Sequence, residues 1–252
     1  MSEYDLTDKV AIVTGGAGGI GTAICAALAK ANAKVVVSSR NQERIESVVA
    51  DLKAIGADAA AVAADVTKPD QVAHLLHQTV DAFGRIDTLV NNAGGAVVAG
   101  KPEEISLEGW NATVALNLTG TFLCATAAAK VMIEQNGGKI INISSNAGFT
   151  GPSNMAPYAA AKAGVIGLTV SLANAWAEHS INVNCIAPGW VATPWHISSG
   201  AIPSREKPDG SVIPPLLYAA EPEAVADLTV FLASAASDHI SGECIPIKGR
   251  HS

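Results

Sequence analysis

A chain of 252 residues with 49% apolar and only 15% charged residues has enough apolar content to bury a large core, which excludes a disordered chain. A net charge of −7 at pH 7 argues against nucleic acid as the main partner, because a phosphate backbone selects a basic face. The opening MSEYDLTDK has neither a basic start nor an apolar run, and the longest weakly polar stretch, 163–177, is interrupted by Thr169, Ser171 and Asn174, so neither a signal peptide nor a bilayer span is expected.

In chain order, a short β-branched run at 10–13 leads into TGGAGGIG at 14–21 and a helical pattern at 19–31. A second strand at 34–37, a helix at 41–55, a strand at 59–63 and a helix at 69–83 repeat the alternation. A strand at 88–90 precedes a long helical stretch at 103–135. A strand at 139–143, a helix at 156–179 and a strand at 182–186 follow. Residues 188–220 hold Pro188, Pro194, Pro203, Pro208, Pro214 and Pro215, so sustained helix or sheet is not expected there. The chain resumes with a helix at 222–234 and a strand at 244–247. Alternating buried strands and helices predict an α/β fold: one domain over 1–252, with a doubly wound, mostly parallel sheet of the Rossmann type and helices on both faces. The 188–220 insertion follows a strand's C-terminal end, where ligands bind in such sheets, and is expected to be a lid over a substrate.

Three local patterns carry chemistry. The glycines of TGGAGGIG open a helix directly after a strand, where a backbone without Cβ atoms and a helix N-terminus can receive a pyrophosphate. About twenty residues on, where a carboxylate usually grips the ribose hydroxyls of NAD, the chain offers Ser39 and Arg40 instead. A guanidinium matches a phosphate monoester, so NADP(H) is expected in preference to NAD(H). Third, Tyr158 and Lys162 are four apart in a helical stretch and share one face. The ammonium is expected to lower the phenol's pKa and fit it for proton transfer. The cysteines Cys25, Cys124, Cys185 and Cys244 lack metal spacing and read as buried free thiols of a cytoplasmic protein; no metal site is expected, and His74 and His77 read as surface residues.

The glycine loop and the Tyr/Lys pair together resemble the short-chain dehydrogenases/reductases, in order along nearly the whole chain. TGGAGGIG resembles that family's TGxxxGxG, which assigns Gly15, Gly19, Ile20 and Gly21 to the cofactor phosphates. Asp65-Val66 resembles the dipeptide that contacts adenine, and Asn91-Asn92-Ala93-Gly94 the NNAG that supports the sheet and borders the cofactor. Pro188-Gly189, Val191 and Thr193 match the turn around the nicotinamide carboxamide. The resemblance implies that Tyr158 passes a proton to or from the substrate oxygen, that Ser145 hydrogen-bonds that oxygen, and that Lys162 tunes the tyrosine and holds the ribose. It implies too that Asn117 anchors a water leading to solvent. Ser144 is the rival of Ser145, set aside because adjacent strand residues face opposite ways.

The chain departs from the family pattern at Ile247-Lys248-Gly249-Arg250, where many members carry an acidic residue and a second glycine. Members that reduce ketoacyl groups on acyl carrier protein carry basic residues near the site mouth; here the approximate positions hold Asn136 and His179. A small ketone or secondary alcohol is therefore the expected substrate, met by apolar residues of 188–220 such as Trp190 and Trp195, with Arg205 and Lys207 as solvated charges or partners for an anion. The alternatives are a 3-ketoacyl-thioester reductase and a non-catalytic nucleotide sensor. The resemblance also implies a homotetramer or homodimer built through the long helices.

Overall fold

The structure is a computed structural model and describes residues 4–207 and 209–248. Pro208 and the Gly249-Arg250 part of the altered C-terminal motif lie outside the described residues.

Seven parallel strands form one sheet: β1 (Val10–Thr14), β2 (Lys34–Ser39), β3 (Ala59–Ala63), β4 (Thr88–Asn91), β5 (Gly138–Ile143), β6 (Ile181–Pro188) and β7 (Cys244–Ile247), in the order β3-β2-β1-β4-β5-β6-β7. Each expected strand is present. The strands' side chains alternate between two apolar layers. On one face α1 (Gly19–Lys30), α2 (Gln42–Ala54) and α9 (Pro222–Ala233) pack through Ile24, Leu28, Ile45, Val48, Val225 and Leu232 onto Val13, Val35 and Val37. On the other, α3 (Pro69–Phe83), α5 (Gly120–Glu134) and α7 (Ala156–Trp176) bring Leu75, Leu76, Met132 and Leu172 against Ile12, Val36, Leu89 and Ile140. Burying β-branched and leucine side chains from water drives this layering. The strand order reverses between β1 and β4, which opens a crevice at the C-terminal edge.

Two regions differ from the sequence expectation. The helix expected at 103–135 is divided: α4 (Leu107–Val114), a π-helical turn at Ala115–Thr119, then α5. The turn carries Asn117, and an inserted residue of this kind re-aims a side chain without ending the helix. Residues 188–220 are more ordered than their prolines imply. They contain α8 (Pro194–Ser198), capped by the Thr193 hydroxyl, and a small core of Ala192, Ile202 and Tyr218. The short helix α6 (Ala147–Thr150) lies between β5 and α7.

The helical segments Leu107–Glu134 and Ala156–His179 are long and apolar enough to cross a bilayer, which the 163–177 stretch alone is not. Both cover the sheet, through Cys124, Ala125, Ala128 and Met132 in one and Ala161, Val165 and Leu172 in the other. Small residues on these helices let them sit close to the strands, and the same composition raises their mean hydropathy.

Candidate active site

The expected site residues gather at the C-terminal ends of β1 to β6. After β1 the loop turns at Gly15, which has φ +64°, and its amides bond within the fold: Gly16 N–H donates to the Ser38 carbonyl at 3.0 Å and Gly18 N–H to the Gly15 carbonyl at 3.1 Å. A Cβ on Gly21 would collide with the Gly15 carbonyl. Helix α1 starts at Gly19 with no side-chain cap and no acidic residue in its first turn. Gly18 and Gly19 are exposed. An uncapped, acid-free helix start behind a glycine bend suits a dinucleotide's pyrophosphate, so the residues present fit the cofactor the fold implies.

Ser39 ends β2, and exposed Arg40 follows it. Asp65, just after β3, accepts from the Thr67 amide at 2.9 Å and hydroxyl at 2.8 Å. Burial pushes its carboxyl up, but those bonds and the charges of Arg40 and Lys68 hold it below its ordinary value. Buried Val66 supports the next wall: a Cβ on Gly120 would lie 2.8 Å from it. Ser38 was not singled out by the sequence. Its hydroxyl is the one buried side-chain polar atom without a partner among the described residues, and no pattern of spacing marks it.

The Asn91–Gly94 segment is a bracket between strands. Asn91 donates to Asn142 across to β5 at 3.0 Å, and the Asn92 amide group donates to the Thr14 and Gly15 carbonyls, each at 3.0 Å. Thr14, also unsought in the sequence, accepts from the Asn92 and Ala93 amides while donating to Val90. Beyond it, Asn117 accepts from Gly95 N–H and donates to the Gly95 and Thr113 carbonyls, each at 2.9 Å. A Cβ on Gly94 would sit 2.7 Å from Asn117 Oδ1 and 3.0 Å from Lys162 Nζ. Asn117 and Lys162 therefore both adjoin Gly94, and a side chain there would displace their polar ends.

Ser144 and Ser145 follow β5 and diverge. Buried Ser144 donates to the Lys162 carbonyl at 2.7 Å, a clamp on α7, while Ser145 is partly exposed, and its hydroxyl accepts from Ala147 N–H at 3.1 Å and acts on the Tyr158 phenol. Lys162 is buried, and its Nζ donates to the Ile143 carbonyl at 2.8 Å. Burial brings its pKa down to about 8. One expectation is corrected here. The ammonium does not draw the phenol toward neutrality; burial pushes the Tyr158 pKa up, and the opposing pull comes from Ser145. The reason is geometric: Nζ lies 5.7 Å from the centroid of the Tyr158 ring and is drawn to a strand carbonyl.

Pro188 ends β6, its carbonyl accepting from Asn146 N–H, while Gly189 N–H donates to the Ile247 carbonyl. Buried Val191 bridges to Ala220, closing the base of the 190–220 return. Thr193 reaches the glycine loop: a Cβ on Gly19 would lie 2.7 Å from it. Ile20 is partly buried behind that loop. Arg205 is an internal strut, donating to the Ile213 carbonyl at 3.0 Å and pairing with Glu221 at 3.5 Å, whereas Lys207 is exposed. A cavity of about 210 Å³ lies within the return, between Trp190, Ile202, Ile213 and Tyr218. A larger one of about 860 Å³ lies between α1 and α9, across the sheet from α7, so volume does not locate the site. Asn136 and His179 precede β5 and β6, at the strand ends opposite Tyr158. Within one chain they do not border the site mouth, which corrects their use as a test for a carrier protein.

A doubly wound parallel sheet with a glycine-bend helix start beside a serine, tyrosine and buried lysine defines a nucleotide-dependent enzyme class. Known relatives make that class specific. A model of the short chain dehydrogenase family matches residues 9–201. The chain is 42% identical over 249 residues to a 3-oxoacyl-[acyl-carrier-protein] reductase of Synechocystis sp., covering 97% of each. It is 38% identical over 252 residues to the 2-dehydro-3-deoxy-D-gluconate 5-dehydrogenase of Escherichia coli, covering 99% of this chain and 97% of that one. A short-chain type dehydrogenase/reductase from Mycobacterium marinum superposes with a TM-score of 0.89 at 34% identity, over 99% of this chain and 97% of the other. Levodione reductase gives 0.88 at 30%, over 98% of each. The chain belongs to the short-chain dehydrogenase/reductase family and is an NAD(P)-dependent oxidoreductase.

Proposed function

We propose that the protein interconverts a ketone and a secondary alcohol with NADP(H), using Tyr158 as general acid and base. The observation that carries this reading is the succession of neighbours from Ser145 to Tyr158, from Tyr158 to Lys162, and from Lys162 to Gly94, which Asn117 also adjoins. When bound, the cofactor supplies or accepts the hydride. In reduction Tyr158 Oη gives its proton to the carbonyl oxygen, and the Ser145 hydroxyl donates to the same atom as charge develops there. A phenol held above its ordinary pKa is protonated at neutral pH, which suits a proton donor. Lys162 holds the cofactor ribose. With a pKa near 8 it also returns a proton to the tyrosine, replenished through a water on the remaining Asn117 oxygen lone pair.

Gly15, Gly19, Ile20 and Gly21 take the phosphates; Ser39 and Arg40 take the 2′-phosphate. Asp65 and Val66 border adenine, Asn92, Ala93 and Gly94 floor the cleft, and Pro188, Gly189, Val191 and Thr193 hold the nicotinamide end. The 188–220 segment serves as the lid over an apolar substrate, since Trp190, Trp195, Leu216 and Leu217 remain exposed on it. We place the protein in the cytoplasm. We also propose a homotetramer or homodimer, because Leu107, Trp110, Phe122 and Val170 leave apolar surface exposed on the long helices.

A second reading, reduction of a 3-ketoacyl thioester, is favoured by the name of the 42%-identical relative. Loss of reduced-cofactor absorbance separates the two. Free ketones with NADPH give turnover in the first reading; a ketoacyl thioester far outpaces them in the second. NADH matching NADPH in either assay rejects the cofactor assignment.

A further inference from the structure

The mechanism uses none of the four thiols, and two of them lie together. Cys185 on β6 and Cys244 on β7 are direct register partners in the parallel ladder. Parallel partners project from the same face of a sheet. That face is the one α7 covers: Val183 packs in the α5–α7 layer, whereas Ile186, Ile245 and Ile247 belong to the opposite one. Both thiols are free, and the Cys185 thiol donates to the Ile186 carbonyl at 3.7 Å. Cys185 is fully buried. Cys244 is half-buried on the last strand of the sheet. Adjacent strands lie about 4.8 Å apart, inside the roughly 4.4–6.8 Å between Cα atoms that a disulfide spans. Cys185 also lies within electrostatic reach of Lys162, the amine proposed to act at the site, which extends from α7 to the Ile143 carbonyl on the neighbouring strand β5.

We propose that Cys185 and Cys244 form an oxidant-sensing dithiol site that takes peroxides or small disulfides as its reactants and closes to an intrachain disulfide beside Lys162. The asymmetry of the pair fixes the order of events. The neighbouring Cys185 thiol pulls the Cys244 pKa down, against burial and Glu243, while Cys244 and burial push Cys185 up. Cys244, the more accessible, is the attacking thiolate. It attacks one peroxide oxygen, the O–O bond breaks, and the released oxygen leaves as water, giving a sulfenic acid. Cys185 sulfur then attacks Cys244 sulfur; the S–S bond forms, the S–O bond breaks, and the hydroxyl leaves as water with the Cys185 proton. Two thiols lose two electrons and two protons, and one peroxide becomes two waters. Closing the pair replaces the polar thiol beside Lys162 with a disulfide sulfur, so turnover depends on the redox state.

The test uses the native protein in its own assembly. It is treated with hydrogen peroxide or diamide, quenched in denaturant with an alkylating reagent, and read by intact mass and peptide mapping. The expected result is loss of two alkylatable thiols, at Cys185 and Cys244, on an uncrosslinked chain lighter by two hydrogens and restored by dithiothreitol. Cys25 and Cys124, both fully buried, remain alkylatable and serve as internal references. Cys244→Ser gives no disulfide. Full retention of four thiols, or a disulfide joining two chains, overturns the site. Turnover is expected to fall severalfold on oxidation and recover on reduction; a disulfide with unchanged turnover overturns the link to Lys162.

Discussion

The glycine loop and the 190–220 return meet at Gly19 and Thr193, yet they are built in different ways. The loop is a backbone device. Its bend is set by Gly15 at positive φ, its contacts are amide to carbonyl, and a Cβ at Gly21 has nowhere to go. The return is a side-chain device: a core of Ala192, Ile202 and Tyr218, a bond from Tyr218 Oη to the Pro203 carbonyl, and the Arg205 strut. A backbone device suits what all its ligands share, which in the proposed function is a pyrophosphate. A side-chain device can be rebuilt residue by residue, which suits selection of a substrate.

Breaking the backbone side should have the larger effect. Gly21→Ala is expected to cost about 1–3 kcal/mol of stability through overpacking and to abolish measurable cofactor binding, read by thermal melting and by quenching of reduced-cofactor fluorescence. Wild-type affinity in that variant would show that the bend tolerates a Cβ. At the rim of the same region, Arg40→Ala removes a charge-assisted contact worth about 1.5–3 kcal/mol, so the KM for NADPH should rise roughly tenfold or more while that for NADH is unchanged. Equal changes with both cofactors would place Arg40 away from the 2′-position.

Changes in the return should be smaller and should spare the cofactor. Tyr218→Phe loses one hydrogen bond, about 1 kcal/mol, and is expected to raise the KM of an apolar ketone with cofactor affinity intact. A change in cofactor affinity alone would contradict the division of labour. The smallest effect is on stability. Lys162 has a folded pKa near 8 against an ordinary 10.5. Between those values the unfolded chain binds more protons, so this residue makes stability rise with pH across that window. The cost of burying its charge is greatest below about 8, so Lys162→Met should show its most favourable melting temperature relative to wild type at neutral pH, the difference shifting against the variant as pH rises toward 10.5. A pH-independent difference would mean that Lys162 titrates normally.

How far the sequence could be read follows the same division. Strand positions were legible because parallel strands covered on both faces need unbroken apolar runs, as in the fully buried β1, where the expected 10–13 falls within Val10–Thr14. The glycine loop was legible because steric need fixes residue identity. The π turn at Asn117 was not, since an extra backbone residue leaves the apolar period nearly unchanged. Nor were the roles of Thr14 and Ser144, ordinary strand-end hydroxyls until their partners from distant segments arrive. The direction of the Tyr158 shift was missed because helix spacing sets only how near Lys162 lies, whereas burial and the competing Ile143 carbonyl depend on the whole fold.

The central claim is that the Tyr158 hydroxyl moves the proton. Tyr158→Phe removes one oxygen from a ring whose packing it leaves in place, and it should lower turnover by about 10²–10⁴-fold while reduced-cofactor binding, measured by fluorescence, stays at the wild-type level. Near-full turnover in that variant, with cofactor still bound, would contradict the account.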